Sequence, residues 1–395
     1  MTTHPIVHVK PERTKSILAG HPWIFSGALT RKPDVADGSV VKILAGKQVL
    51  GTGYYNSHTD IAVRILSSRD ESIDTRFFRD RFRNLKTRKE EWLSPRTNAY
   101  RVVFGEADGL PGLVVDKYAD VLVAQFHTLG MDGLKSQVVE GLVDALAPGS
   151  VVERSDLGIR RAEGLETQPV GILHGREATE VEIEENGFKF LVHVQEGQKT
   201  GFFLDQRENR LAVTRYSRGR SVLNCFSYTG GFSVYAASKA KRVVSVDISK
   251  PAMEFCRRNF RLNGLAAVEN DFQAVDVFDY LKALDSGAFD LIILDPPSFA
   301  KNKKQLANAI KAYTTINSKA LEKLPEGGIL VSSSCTSHVD PLTFVKILHQ
   351  SAVNARCTVR VLESREQPFD HPYNLAFPEG RYLKFFVLQK SGIDR

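Results

Sequence analysis

The chain has 395 residues, and at about 150 residues per domain this length fits two or three domains and excludes a single small module. Hydrophobic residues make up 42% and charged residues 25%, with 29 Gly and 16 Pro, which excludes collagen-like and low-complexity chains. The 53 Lys and Arg outnumber the 46 Asp and Glu for a formal net charge of +7, a balance that suits a polyanionic partner without requiring one. No uncharged apolar stretch reaches the roughly 18 residues of a membrane helix, and Met1 to Lys10 lacks the basic-then-apolar layout of a secretory signal. No membrane partner is therefore expected, and the expected location is the cytoplasm. Cys225, Cys256, Cys335 and Cys357 show no CxxC spacing and no neighbouring Cys/His cluster, so neither a disulfide scaffold nor a metal site is expected.

In chain order, short strands are predicted at Ile6 to Val9, Trp23 to Phe25, Ser39 to Leu44, Val49 to Tyr55 and Ile61 to Leu66, punctuated by Gly20, Gly38 and Gly46. From Ser72 to Trp92 the spacing of Phe78, Phe82 and Leu85 predicts a helix, surrounded by Arg76, Arg79, Arg81, Arg83, Lys86, Arg88 and Lys89. Such a basic helix is either a phosphate-facing surface or a solvated outer face. Strands return at Arg101 to Phe104, Leu113 to Asp116 and Val121 to Phe126, followed by a helix from Asp132 to Leu146. Beyond Gly187, apolar strands at Ser221 to Cys225, Val243 to Asp247, Leu291 to Asp295 and Ile329 to Ser333 alternate with amphipathic helices. That alternation predicts an α/β fold with a doubly wound, mostly parallel sheet, which binds its ligand beyond the carboxyl ends of its strands. The expected division is 1–72 (β-rich), 73–186 (α+β) and 187–395 (α/β).

The strand ends therefore carry the chemistry. Val222 to Cys225 runs into Phe226-Ser227-Tyr228-Thr229-Gly230, a small-residue turn before a helix, in which glycine lets backbone approach a ligand. The next strand ends in Asp247, placed to accept hydrogen bonds from ribose hydroxyls. The turn lacks both GxGxxG and GxxxxGK[ST], which favours S-adenosylmethionine over dinucleotides and ATP. Asp276, after the stretch Val268 to Ala274, is set either to meet an adenine amino group or to cap a helix.

Leu291 to Leu294 delivers Asp295-Pro296-Pro297-Ser298-Phe299, in which two prolines stiffen the turn and present a carboxylate and a ring together. Asp295 can accept protons from a base edge and Phe299 can stack on it. The following strand runs into Ser332-Ser333-Ser334-Cys335, a thiol among hydroxyls at the same sheet edge. Carbon 5 of a pyrimidine is a poor nucleophile, and methylating it requires covalent addition at carbon 6; a cysteine there separates carbon from amine methylation. A buried, inert role is expected for Cys225, Cys256 and Cys357.

The run Gly197 to Arg207 (GQKTGFFLDQR), Leu223 to Phe232, Asp295-Pro296-Pro297, Ser334-Cys335 and Pro378 to Lys384 (PEGRYLK) together resemble the bacterial large-subunit (23S) ribosomal RNA cytosine-C5 methyltransferase family. His21 to Gly27 is similar to that family's PUA opening and Gly105 to Gly112 to its central domain. The resemblance implies a PUA-like RNA-binding domain, a central α+β domain and a class I, Rossmann-like methyltransferase domain with a seven-stranded sheet. It makes Cys335 the nucleophile and Asp295 a pocket carboxylate near the sulfonium and the target base. It implies S-adenosylmethionine contacts at Phe226, Ser227, Tyr228, Thr229, Gly230, Asp247 with Ile248, Asp276 with Val277, and Asp295, while Thr200, Gly201, Asp205 and Gln206 close over the methionine moiety. Pro296, Pro297 and Phe299 are the substrate-contacting candidates, 23S ribosomal RNA the expected partner and a second copy of the chain a candidate one. Many RNA cytosine-C5 enzymes carry a second cysteine where this sequence has Pro297, so the base that removes the carbon-5 proton is unassigned. Uridine-C5 methylation, exocyclic-amine methylation and a noncatalytic RNA-binding assembly role remain alternatives.

Overall fold

The computed structural model describes residues 4–265, 269–300 and 302–392, so Val268 lies outside the described residues. The chain divides into two units by contact, one holding 1–184, 192–204 and 369–380, the other 185–191, 205–368 and 381–395.

In the first unit, strands β1 (Ile6–His8), β2 (Trp23–Phe25), β3 (Val40–Ala45), β4 (Gln48–Tyr55) and β5 (Ile61–Ser67) form a sheet in the order β1-β3-β4-β5-β2, with helix α1 (Thr14–Leu18) between β1 and β2. Alternation puts Val7, Ile24, Val41, Ile43 and Val63 into one core. The predicted basic helix is α2 (Thr75–Glu90), started by Asp74, whose carboxylate accepts the Phe77 N–H at 2.9 Å. Its buried face, Phe78, Phe82 and Leu85, shares a core with a second sheet. That sheet is β6 (Ala99–Phe104), β7 (Leu113–Tyr118), β8 (Val121–Phe126), β9 (Ser150–Glu153) and β10 (Gly171–Gly175), in the order β10-β9-β8-β7-β6. The single helix expected from Asp132 to Leu146 is two, α3 (Leu129–Gly133) and α4 (Lys135–Leu146).

The basic residues of α2 do not share one fate. Lys89 is buried, its Nζ donating to Asp108 at 2.6 Å and to the carbonyls of Val102 and Asp370. Arg81 donates to Leu66 O at 2.9 Å and lies over the Phe77 ring, and Arg79 pairs with Asp80. Arg76, Arg83 and Arg88 are exposed. The helix is thus partly an internal strut, because long basic side chains lay their stems on the apolar face and carry their charges to buried carbonyls and carboxylates.

A ribbon of β11 (Glu180–Glu185) and β12 (Phe188–His193) precedes α5 (Arg207–Ser217). The second unit then runs β13 (Ser221–Cys225), α6 (Gly231–Ala237), β14 (Arg242–Asp247), α7 (Lys250–Leu262), β15 (Glu269–Ala274), α8 (Val277–Ala283), β16 (Leu291–Leu294), α9 (Leu306–Lys323), β17 (Ile329–Ser334), α10 (Pro341–Asn354), β18 (Thr358–Arg365) and β19 (Lys384–Ser391). Among the described residues its sheet has seven strands in the order β15-β14-β13-β16-β17-β19-β18. β13 pairs in parallel with β14 and β16, and β16 with β17, whereas β19 is antiparallel between β17 and β18. Every residue of β13, β16 and β17 is buried, as in a parallel sheet covered on both faces. Leu223, Ile292, Leu294 and Leu330 pack on one face against Tyr313, Ile316 and Phe344 of the helices. The chain order reverses at β13, so the crevice for a ligand opens at its carboxyl end. No described helix is long and apolar enough to cross a membrane.

Within this unit Glu185 is fully buried and receives both Arg210 Nε at 2.8 Å and Nη2 at 2.6 Å, with the Tyr235 hydroxyl at 3.0 Å. Removing one partner strands a buried charge. Arg210→Met is expected to lower the unfolding free energy by about 3–5 kcal/mol in urea denaturation, and Arg210→Met with Glu185→Gln by less.

Candidate active site

Register decides what meets at the sheet edge. Cys225 lies opposite Val246 and Leu294, and Leu294 opposite Ser332. The next residues, Asp247, Phe226, Asp295 and Ser333, therefore stand in one row across four strands. Cys335 follows two residues beyond Ser333, roughly 6.6 Å further along the strand direction at about 3.3 Å per residue.

The turn after β13 holds positive φ at Phe226 (57°), Tyr228 (48°) and Gly230 (85°). For two aromatic residues this conformation is costly, and such strain collects at ligand-binding turns. The turn is fixed from both sides: Ser227 N donates to Val246 O at 3.0 Å, Tyr228 N to Asp247 Oδ2 at 2.9 Å, and Asn259 Nδ2 to Thr229 O at 2.8 Å. Thr229 is buried, and its Oγ1 has no hydrogen-bond partner. Gly230 has a packing role as well. A Cβ there would stand 2.3 Å from Cys256 Sγ, so the glycine is required by the packing of α7.

Asp247 also accepts the Ser249 N–H at 2.9 Å, which orients its carboxylate before any ligand arrives. Ile248 beside it is 72% exposed, an apolar side chain left at the edge of the crevice. Asp276 caps α8 through Oδ1, accepting the N–H groups of Phe278 and Asp279 at 2.8 and 3.2 Å. Those bonds commit one oxygen to the helix start. The Val277 side chain lies in the core.

Asp295 is the first residue past β16. Its Oδ1 accepts the Ser333 hydroxyl at 2.5 Å and Gln206 Nε2 at 2.9 Å, and Gln206 Oε1 accepts Asn209 Nδ2 at 2.6 Å. Asp205 accepts the Tyr382 hydroxyl at 2.7 Å. Gln206 thus holds Asp295 through a side chain whose role the sequence reading assigned to the cofactor. Pro296 is buried and Pro297 exposed. The Phe299 ring packs edge-on against Tyr313 with centroids 4.7 Å apart and belongs to the rim of the core. Thr200 and Gly201 fall in the other unit, where the buried Thr200 hydroxyl donates to Asp116 at 2.6 Å and pairs with the Tyr118 hydroxyl at 2.8 Å.

The four cysteines divide by environment. Cys225, Cys256 and Cys357 are buried, and burial pushes each thiol up, that of Cys256 to about 12. Cys335 alone is half-exposed. Near it, the Tyr313 hydroxyl bonds Thr336 Oγ1 at 2.9 Å, which bonds Ser298 Oγ at 3.0 Å. Burial raises the Tyr313 phenol to about 12, so it stays neutral at physiological pH. The Ser333, Asn209 and Tyr313 contributions were missed from sequence, since which of several polar residues in an element reaches the site is set by partners remote in the chain.

A seven-stranded sheet of this order, with a turn and an acidic residue ending its first two strands, defines a class I S-adenosylmethionine-dependent methyltransferase. A family model described as S-adenosylmethionine-dependent methyltransferase matches residues 166–377, and one described as a PUA-like domain matches residues 7–68. The chain is 40% identical to Ribosomal RNA large subunit methyltransferase I of Aeromonas salmonicida over 97% of this chain and 98% of that one. It is also 40% identical to the protein of that name from Shewanella denitrificans, over 96% and 98%. The solved structure of SMU.776, described as a methyltransferase complexed with SAH, superposes with a TM-score of 0.83 at 26% identity, covering 98% of this chain and all of that one. A methyltransferase structure from Streptococcus mutans gives 0.81 at the same identity and coverage of this chain. The chain belongs to the large-subunit ribosomal RNA methyltransferase I family, and its cofactor is S-adenosylmethionine.

Gly230→Ala is expected to destabilise the protein by about 1–3 kcal/mol in thermal or urea unfolding, and Cys256→Ala in the same chain to recover part of that loss.

Proposed function

We propose that the protein methylates carbon 5 of a cytosine in 23S ribosomal RNA through a covalent adduct with Cys335. The observation that carries this reading is the position of the one half-exposed thiol, two residues along the strand from the Ser333 that holds Asp295. The names of the relatives support ribosomal RNA as the substrate class.

S-adenosylmethionine, when bound, supplies an electrophilic methyl group. The residues present fit it: an unpartnered buried hydroxyl at Thr229, a pre-oriented Asp247 carboxylate and an exposed Ile248 line the end of β13 and β14. In this reading Asp247 takes the ribose hydroxyls, Ile248 covers one face of the adenine, and Asp276 offers its second oxygen to the adenine amino group. Phe226 to Gly230 cradle the methionine side through backbone.

Cys335 Sγ bonds to carbon 6 of the extruded base, and the electrons of the 5,6 double bond make carbon 5 nucleophilic. Carbon 5 takes the methyl group as the methyl–sulfonium bond breaks, then loses its proton to solvent; the C5–H electrons re-form the 5,6 double bond and the carbon 6–sulfur bond breaks, returning the thiolate. Asp295, held by Ser333 and Gln206, accepts a hydrogen bond from the amino edge of cytosine, which uridine lacks. The PUA-like domain and the exposed Arg76, Arg83 and Arg88 supply phosphate contacts, so affinity for RNA falls with salt.

The test is methylation of 23S ribosomal RNA taken from a strain lacking the gene, read by nucleoside mass spectrometry. Wild-type protein is expected to form 5-methylcytosine, and Cys335→Ala to lose about a thousandfold or more in rate while binding S-adenosylmethionine normally in calorimetry. Wild-type rates in Cys335→Ala, or a product methylated on nitrogen, overturn the reading; 5-methyluridine moves the target base.

A further inference from the structure

Lys384 opens β19 and pairs with Ser334, the last residue of β17, so its place in the sheet is beside the chain as it enters Cys335. A lysine here is anomalous. It leads the buried run Phe385-Phe386-Val387-Leu388, and it is itself only 3% exposed. Its Nζ donates to Thr336 O and to Tyr382 O, both at 2.7 Å. Two neutral carbonyls take two of the three ammonium protons, and among the described residues no carboxylate forms an ion pair with it.

A buried ammonium needs a counter-charge. The charged and titratable groups that act on Lys384 are Cys335 just past β17, Asp340 at the cap of α10 and Arg381 on the segment before β19. Arg381 opposes its charge. Asp340 is committed to Thr343, accepting its N–H at 3.0 Å and its hydroxyl at 2.6 Å. Cys335 directly follows Ser334, the residue that Lys384 pairs with in the sheet, and a thiolate there favours the lysine's charge. By reciprocity, the lysine's charge favours the ionised thiol.

We propose that Lys384 is a positioning residue whose ammonium is the standing counter-charge of the Cys335 thiolate. The proposal rests on the reading of Cys335 as the nucleophile. Ionisation sends the thiol proton to bulk water and Lys384 keeps all three of its own; when the thiolate bonds to carbon 6 the pair is broken, and when it is expelled the pair reforms. Burial pulls Lys384 down to about 8, so it is still mostly charged at neutral pH and becomes neutral above that. Thiolate content therefore rises through a lowered midpoint, and above the lysine's own titration the thiolate persists without its counter-charge.

The experiment is alkylation of the full-length protein by iodoacetamide across pH, read peptide by peptide in a mass spectrometer, with the buried Cys225, Cys256 and Cys357 as internal controls. In wild-type protein the Cys335 midpoint is expected about one unit or more below the ordinary thiol value of about 8.5. Lys384→Met is expected to raise the midpoint by at least one unit, a roughly tenfold loss of thiolate at neutral pH, and to lower kcat with KM for RNA unchanged. Lys384→Arg is expected to keep the low midpoint, because a guanidinium supplies the same positive charge throughout that range. A wild-type midpoint at or above the ordinary value overturns the pair without any variant, as does an unchanged midpoint in folded Lys384→Met. Methylation surviving in Cys335→Ala sinks the catalytic reading instead and leaves the alkylation result to judge the pair.

Discussion

Parallel pairing of β16 with β13 on one side and β17 on the other is the constraint on which the site rests. These strands end level, so the residues that follow them emerge in one row. A slip of one residue would turn Asp295 and Ser333 to opposite faces of the sheet and undo the bond between them. Full burial of the strands makes such a slip expensive, because every side chain has a packed partner on one face or the other. The core underneath is thus a positioning device for groups that are not part of it.

Those groups are also held by polar contacts of their own. Asp295 is gripped by Ser333 and Gln206, Asp247 by two backbone N–H groups, and Asp276 by the start of α8. Each carboxylate is oriented in advance, so ordering it costs nothing further when a ligand arrives. The left-handed conformations at Phe226 and Tyr228 belong to the same economy: the turn is kept in shape by Val246, Asp247 and Asn259.

Much of the fold was legible because burial imposes periodicity. Ser221 to Cys225 and Trp23 to Phe25 have the bounds read from the sequence, and Val243 to Asp247 and Ile329 to Ser333 each gain one residue. The helix from Asp132 to Leu146 broke in two because its apolar spacing survives an interruption at Leu134 that the pattern does not register. Side-chain fates were harder to read. Lys89 looks like a surface cation and is an internal one, the Phe299 ring also lies against Tyr313, and Gly230 is also demanded by Cys256. In each case the deciding neighbour is remote in sequence, and composition does not encode remote neighbours.

By itself, then, the sequence determined the strand–helix alternation, the placing of chemistry at strand ends and the kind of cofactor, since these depend on local periodicity and on residue types at turns. Only the tertiary structure decided that Ser333 and Gln206 hold Asp295, and that Lys384 of β19 pairs in the sheet with Ser334, the residue before Cys335. The physical reason is the insertion of β19 between β17 and β18, an antiparallel pairing between distant segments. Its energy comes from backbone hydrogen bonds and buried area summed over whole strands, and no short window of sequence contains that sum.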